Sequence, residues 1–133
     1  MATTTATLTI TSDINTDALA LTTTHTLNKA GTTIGLEESS GLAKKIYASA
    51  QSNATLIAAA DYSGTGGRVY IKNTGSSSTD FFTLEIGGSN INIGRLYGQD
   101  FSWLPYDGTQ DIDISSTGTN MELELSLIHI SEP

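Results

Sequence analysis

The amino-acid sequence predicts an all-β fold: an antiparallel β-sandwich of about eight to ten short strands with jelly-roll topology. Two observations carry this prediction. Apolar and polar residues alternate with a period of two along most of the chain, and candidate strands follow one another about every ten residues, joined by Gly, Ser, Asn and Asp. Thr, which is β-branched and favoured on a pleated surface, is abundant. This strand spacing is typical of a sandwich or barrel rather than of alternating strands and helices.

Thr-rich strands open the chain. Leu8 and Ile10 alternate with Thr residues, which places aliphatic side chains on one side of a strand and hydroxyls on the other. The stretch around Leu19 and Leu21 has a similar pattern, and the Thr run at the N-terminus predicts a flexible arm. A flat array of Thr would suggest ice binding, but one Thr strand is better explained as an exposed strand face.

Residues 41–60 are the ambiguous part of the pattern. We predict two strands here, with Asn53 helping the turn between them. A short helix is the alternative, because Leu42, Ile46 and Ala50 stand at helical spacing.

Residues 67–124 contain the clearest alternation, and the turns between these strands contain Asn and Gly, which tolerate positive φ. The predicted inward-facing residues are Val69 and Ile71; Phe82, Leu84 and Ile86; Ile91 and Ile93; Ile112 and Ile114; Met121 and Leu123. One more strand contains Phe101 and Trp103, which we interpret as alternating core residues. We therefore expect a single β-sandwich domain over residues 1–124.

The last nine residues, LSLIHISEP (Leu125 to Pro133), form a segment of different character. They resemble the in-frame translation of a transposon-end adaptor used to prepare sequencing libraries. The resemblance implies that residues 125–133 are a non-native tail, that the native C-terminus lies beyond Glu124, and that the DNA is of metagenomic origin. Leu125 and Leu127 continue the alternation, so we expect the final strand to run into the tail.

Composition excludes several classes of function. The net charge is −8 and only six residues are Lys or Arg, which argues against nucleic-acid binding. The chain has no cysteine, so disulfides and thiolate metal sites are excluded. No apolar run approaches the ~20 residues that span a bilayer, and the N-terminus does not resemble a secretory signal.

The sequence contains no recognisable catalytic set, so we predict that the chain is not an enzyme and that it has no cofactor. His25 is the only histidine outside the tail, and its neighbours are Thr, so a proton-shuttling triad cannot be assembled from the sequence pattern. We predict no metal site. Calcium bound by Asp107, Asp111 and Asp113 is an alternative, but the last two flank inward-facing Ile residues and are well explained as an exposed strand face.

Aromatic residues are the best candidates for contact with a partner. We select Phe81, Trp103 and Tyr106 as possible contact residues. Exposed aromatic rings near Asp and Asn also stack on sugar rings, so a carbohydrate-binding or adhesive surface module is the alternative function.

Two stretches carry a resemblance to a known family. RVYIKNTGSSSTDFFTLEIGG consists of a strand, an Asn-Thr-Gly turn and a strand ending in Gly-Gly; IGRLYGQDFSWLPYDGTQDIDISS consists of a strand, a Gly-x-Asp corner, a strand with Pro, and a further strand. Together they resemble small β-sandwich virion proteins of tailed phages: decoration, accessory or connector components. In the corner, Gly98 is expected to adopt a turn conformation, Asp100 to accept backbone N–H groups, and Pro105 to end its strand or mark it as an edge.

The resemblance implies a structural role in a virus particle. The chain would be a head decoration, head–tail or tail accessory subunit, present in virions assembled in the host cytoplasm. Its partners would be the major capsid or tail protein and further copies of itself, with a trimer favoured. No nucleic acid or membrane is expected among its partners.

Overall fold

The computed structural model describes residues 3–14, 18–28, 35–39, 41–61 and 67–131. This part of the chain contains eleven β-strands and one single-turn 3-10 helix, at Ala59–Asp61. The strands are β1 (Thr3–Ser12), β2 (Leu19–Asn28), β3 (Gly35–Ser39), β4 (Ala43–Tyr47), β5 (Ala54–Ile57), β6 (Gly67–Asn73), β7 (Phe82–Ile86), β8 (Ile91–Leu96), β9 (Phe101–Tyr106), β10 (Ile112–Ser116) and β11 (Met121–Ser131). The all-β prediction is confirmed.

The chain divides into two compact units, Met1–Glu37 with Ile130–Pro133, and Glu38–His129. The sequence did not predict this division. The predicted boundaries, a β-sandwich domain over 1–124 and a non-native tail over 125–133, stay a prediction. The expected continuation of the last strand into the tail is confirmed, because β11 extends to Ser131.

In the first unit, β1 and β2 form a two-stranded antiparallel hairpin with an uninterrupted register from Thr3↔Asn28 to Ser12↔Leu19. The predicted flexible arm is therefore wrong from Thr3 onwards: this stretch is a strand. Ten consecutive residues of β1 have partners on β2, and these cross-strand pairs stabilise the stretch as a strand.

The second unit is a sandwich of two antiparallel sheets. The first sheet has the order β5-β10-β7-β8. Within this unit the second sheet has the order β4-β11-β6-β9. The antiparallel β-sandwich predicted from the sequence is confirmed, whereas the jelly-roll topology stays a prediction.

The core lies between these sheets and is built from the alternating aliphatic residues. Val69, Ile71, Phe82, Ile114 and Leu123 are fully buried, and they come from the central strands of both sheets. Along β6, buried and half-buried residues alternate without exception. The period-two pattern thus selects the core correctly along β6. In β7 and β10 it is less exact, because Glu85 and Asp113 are buried as well and Ile86 is only half-buried.

Residues 41–60 contain the two predicted strands, β4 and β5, rather than the alternative helix, and end in the 3-10 turn at Ala59–Asp61. The turn between β4 and β5 contains Asn53, whose φ of 53° lies in the left-handed region that Asn tolerates. Leu42 and Ile46, two of the residues at helical spacing, are both exposed. The helical spacing therefore does not mark a buried face.

Strand β9 has the opposite orientation to the predicted one. Phe101 is 55% exposed and Trp103 is only half-buried, while Leu104 packs against the core and Tyr106 belongs to it. The reason is the register with β6: Leu104 lies opposite Val69, which faces inward, so its neighbour Trp103 faces outward. The interpretation of Phe101 and Trp103 as core residues is therefore wrong.

The Gly98 corner joins β8 to β9 and is held by Asn73 at the end of β6. Asn73 is buried; its amide donates to the carbonyl of Leu96 (2.9 Å), and its side-chain oxygen accepts the N–H of Gly75 (2.9 Å). The expected role of Asp100 is confirmed, because its Oδ2 accepts the N–H of Tyr97 at 2.9 Å.

The positive φ in this corner belongs to Gln99 (72°), not to Gly98. Glycine is required at position 98 for a different reason. A Cβ atom there would lie 2.8 Å from the backbone of Ser76 and Ser77, closer than real Cβ contacts allow. Pro105 lies in β9, which is an edge strand as expected, since a proline cannot donate to a ladder.

Truncation of the central aromatic residue should show how much the core depends on it. Phe82→Ala removes a fully buried ring that contacts Tyr47 edge-on, with ring centroids 6.1 Å apart. We expect a loss of about 3–5 kcal/mol in the free energy of unfolding, measured by urea denaturation. Phe101→Ala is the matched control, because its ring is 55% exposed, and it should change stability by less than about 1 kcal/mol. Equal losses in the two variants would contradict the orientation of β9.

Candidate functional site

Three aromatic side chains lie on the outer face of the second sheet, on the edge strand β9 and its neighbour β6. Phe101 and Trp103 face outward on β9, and Tyr70 lies opposite Trp103 on β6. We call these three residues the aromatic face. Trp103 was predicted as a contact residue, whereas Phe101 and Tyr70 were missed. Apolar residues occupy both sides of FSWLPY, so periodicity alone cannot orient Phe101. The position of Tyr70 beside Trp103 depends on the register between β6 and β9, which is a long-range property.

Charged residues lie beside the aromatic face. Lys72 lies opposite Phe101, and Glu124 lies opposite Lys72 on β11. The Tyr70 hydroxyl donates to Glu124 Oε1 at 2.8 Å. Burial, this hydrogen bond and the negative charge of Glu124 raise the pKa of Tyr70 to about 12. The phenol is therefore fixed as a neutral donor beside a carboxylate, and the surface combines apolar rings with oriented polar groups.

The edge strands of both sheets carry the most exposed apolar residues of the second half of the chain. Ile91 and Ile93 on β8 are 63% and 53% exposed, and Phe101 on β9 is 55% exposed. Ile91 and Ile93 were both predicted to face inward, and this prediction is wrong. The β7–β8 register shifts between Leu84 and Glu85, and this irregularity disrupts the alternation. We call Ile91, Ile93 and Phe101 the edge residues.

Phe81, the second predicted contact residue, belongs to a cluster at the start of β7. The Arg95 guanidinium lies over the Phe81 ring, with Cζ 4.3 Å from the ring centroid, and the Tyr97 ring packs against Phe81 at a centroid distance of 5.0 Å. The first contact is a cation–π interaction. Arg and aromatic residues are the types enriched at protein interfaces.

Tyr106, the third predicted contact residue, is only 6% exposed and belongs to the core. Its hydroxyl donates to the carbonyl of Gln110 at 2.7 Å. The ring therefore serves the packing of β9, and this burial gives no support to its predicted contact role.

The three carboxylates considered for calcium have separate roles. Asp107 Oδ1 accepts the N–H and hydroxyl of Thr109 (3.0 and 2.6 Å), which lowers the pKa of Asp107. Asp111 Oδ1 accepts the N–H of Ala59 at 2.8 Å. Asp113 is buried and lies opposite Glu85 on β7, so its interpretation as an exposed residue is wrong. Among the described residues, no group of three or more His, Asp or Glu is placed to hold a metal.

His25 is exposed on β2, opposite Ala6. The prediction that the chain is not an enzyme stays a prediction. Within the described residues, no helix is long and apolar enough to cross a membrane.

Comparisons with known proteins found no significant match. The chain matches no protein-family model, no curated protein and no solved structure.

The Tyr70–Glu124 pair can be tested by titration. A tyrosine whose pKa rises from 10.0 unfolded to about 12 folded contributes stability that is complete below pH 10. This stability is lost as the pH rises towards 12. Glu124→Gln should lower the pKa of Tyr70, because it removes the negative charge, but burial should keep the value above 10.0. The measurement is the ultraviolet absorbance of phenolate against pH, with Tyr70→Phe identifying the signal.

Glu122→Gln is the matched control for this titration. Glu122 lies on the same face of β11, but its Oε1 contacts Thr74 Oγ1 (3.1 Å) and Lys44 Nζ (3.7 Å) instead of Tyr70. An equal change of the Tyr70 pKa in both variants would show that the hydrogen bond is not its cause.

Proposed function

We propose that the chain is a non-enzymatic structural subunit of a tailed-phage particle that acts by binding other proteins of the particle. The observation that carries this proposal is the exposure of the edge residues Ile91, Ile93 and Phe101 on β8 and β9. Apolar side chains on edge strands are suited to burial against a neighbouring subunit.

The strand order supports this class of protein. The strands of the sandwich, β4 to β11, can be renumbered from one to eight. The second sheet then has the order 1-8-3-6, and the first sheet has the order 2-7-4-5. This order is consistent with the two interleaved Greek keys of a jelly roll, an architecture used by viral capsid and lectin domains. One fold hosts many functions, so the function of this chain depends on its surface.

The surface chemistry supports a neighbouring protein as the partner. Only 15% of the residues are charged, below the average of roughly a quarter. A surface of hydroxyls, amides and isolated aromatic groups is dehydrated at lower cost than a charged one. The Arg95–Phe81–Tyr97 cluster adds residue types that are enriched at interfaces.

The proposal is tested first on the DNA fragment that encodes the chain, and then on the protein. Neighbouring genes should encode capsid, portal or tail proteins. Co-expression with the capsid or tail protein from those genes should give a complex that purifies together. Ile93→Asp should weaken this complex by at least tenfold in dissociation constant, because it places a charge in the buried surface.

Thr119→Asp is the matched control, because it adds the same charge at an exposed turn residue outside the edge strands. It should leave the affinity unchanged. A fragment that encodes no particle proteins, or equal binding by wild type and Ile93→Asp, would overturn the proposal.

A carbohydrate-binding module is the second candidate, and the outward orientation of Phe101 and Trp103 favours it. The aromatic face combines rings with oriented polar groups, as sugar recognition requires. Calorimetry with oligosaccharides of glucose, galactose and N-acetylglucosamine should then detect binding that Phe101→Ala abolishes. Ile46→Ala is the control, because Ile46 is 68% exposed on β4 but has no ring. Absence of binding by the wild type to every sugar would exclude this candidate for these ligands.

A further inference from the structure

The β1–β2 hairpin differs from the sandwich in how it protects its edges. Natural β-proteins protect edge strands with prolines, bulges, lysines or short length, because an unpaired edge is a template for another chain. In the sandwich, β9 contains Pro105, and the β8 ladder is interrupted between Leu84 and Glu85. The β5 ladder is interrupted between Ile112 and Asp113, and β4 carries Lys44 and Lys45.

The hairpin has none of these devices within its described strands. Its ladder is continuous over ten residue pairs. Strand β1 contains no charged residue and no proline, and β2 contains only His25 as a titratable group. Its sheet contains only two strands among the described residues, and sheets of three or more strands are the more stable ones. These properties indicate strands that accept a further strand.

The two faces of the hairpin have different chemistry. On one face Thr5, Thr7 and Thr9 lie opposite Thr26, Thr24 and Thr22, and the hydroxyls of Thr7 and Thr24 are 3.2 Å apart. The other face carries aliphatic residues that are between 38% and 51% exposed: Leu8, Ile10, Leu19 and Leu21.

We propose that β1 pairs with β1 of a second copy, antiparallel and about a twofold axis near Thr7. In such a pair, a residue a given number of positions before Thr7 lies opposite the residue the same number of positions after Thr7 in the second copy. Thr5 then faces Thr9 of the second copy, and Ala6 faces Leu8. The Thr face continues as a Thr face and the aliphatic face as an aliphatic face, so the alternation of β1 is complementary to itself.

Charge also favours a second copy over an unrelated strand. The chain carries a net charge of −8, yet β1 carries no charge. Two copies can therefore approach along β1 without opposing like charges in the ladder, and cross-strand Thr pairs are favourable. The result is a four-stranded sheet with the order β2-β1-β1-β2, which is large enough for independent stability. This inference does not depend on the identity of the particle, but it extends the proposed function by naming a self-association surface.

The test is the mass of the full chain in solution by light scattering after size exclusion. We expect wild type at twice the monomer mass of 14.0 kDa. Thr7→Lys places two lysines opposite each other at the axis and should raise the dissociation constant about tenfold or more. Thr24→Lys is the matched control: it makes the same change on the same face, one strand away from the axis, and should remain dimeric.

A charge-exchange experiment distinguishes pairing from a damaged hairpin. At a protein concentration between the dissociation constants of wild type and variant, Thr7→Lys and Thr7→Glu should each be monomeric. An equimolar mixture of the two should recover the dimer mass, because opposite charges then face each other. A monomeric wild type, a trimer, a dimeric Thr7→Lys variant or a mixture that stays monomeric would overturn the pairing. None of these outcomes involves a capsid or tail protein, so they leave the partner test of the proposed function unaffected.

Discussion

The structure of the sandwich depends on burying one face of each sheet against the other. The side chains that achieve this belong mostly to four strands, β6 and β11 in one sheet and β7 and β10 in the other. Each of these strands has a neighbour on both sides, so its inward residues are enclosed completely. The outer strands β4, β5, β8 and β9 contribute fewer buried residues, and their remaining apolar side chains are available for other contacts. The same constraint that fixes the core therefore also determines where a binding surface can form.

The central strands could be predicted from the sequence because their pattern is unambiguous. In GRVYIKN, apolar residues occupy only alternate positions, so a single orientation buries them. In FSWLPY, Phe101 and Trp103 lie on one side and Leu104 and Tyr106 on the other. Both sides are apolar, and the choice depends on which residues of β6 lie opposite. That register is a long-range property, which the local alternation does not contain.

The corner at Gly98 shows a similar limit. The residue types of a turn were evident in the sequence, and Asp100 accepts a backbone N–H as expected. The need for glycine, however, arises from the backbone of residues 75–77, which passes too close for a Cβ atom. The burial of Asn73, which connects these two segments, also depends on their approach. Contacts between segments more than twenty positions apart cannot be inferred from turn chemistry. The sequence thus indicated a turn at this place but not its main constraint.

The two units present different means of association. The sandwich protects its edge strands with lysines on β4, interrupted ladders at β5 and β8, and a proline on β9. The proposed partner would therefore contact side chains such as Ile91 and Phe101 rather than add a strand. The hairpin leaves its ladder continuous and its surface uncharged, so it is suited to backbone pairing. Side-chain contacts are specific to one partner surface, whereas backbone pairing requires only a strand of matching alternation, and a second copy of β1 provides one. A subunit that must join both copies of itself and a different protein needs such separate surfaces, because one surface optimised for both would discriminate poorly between them.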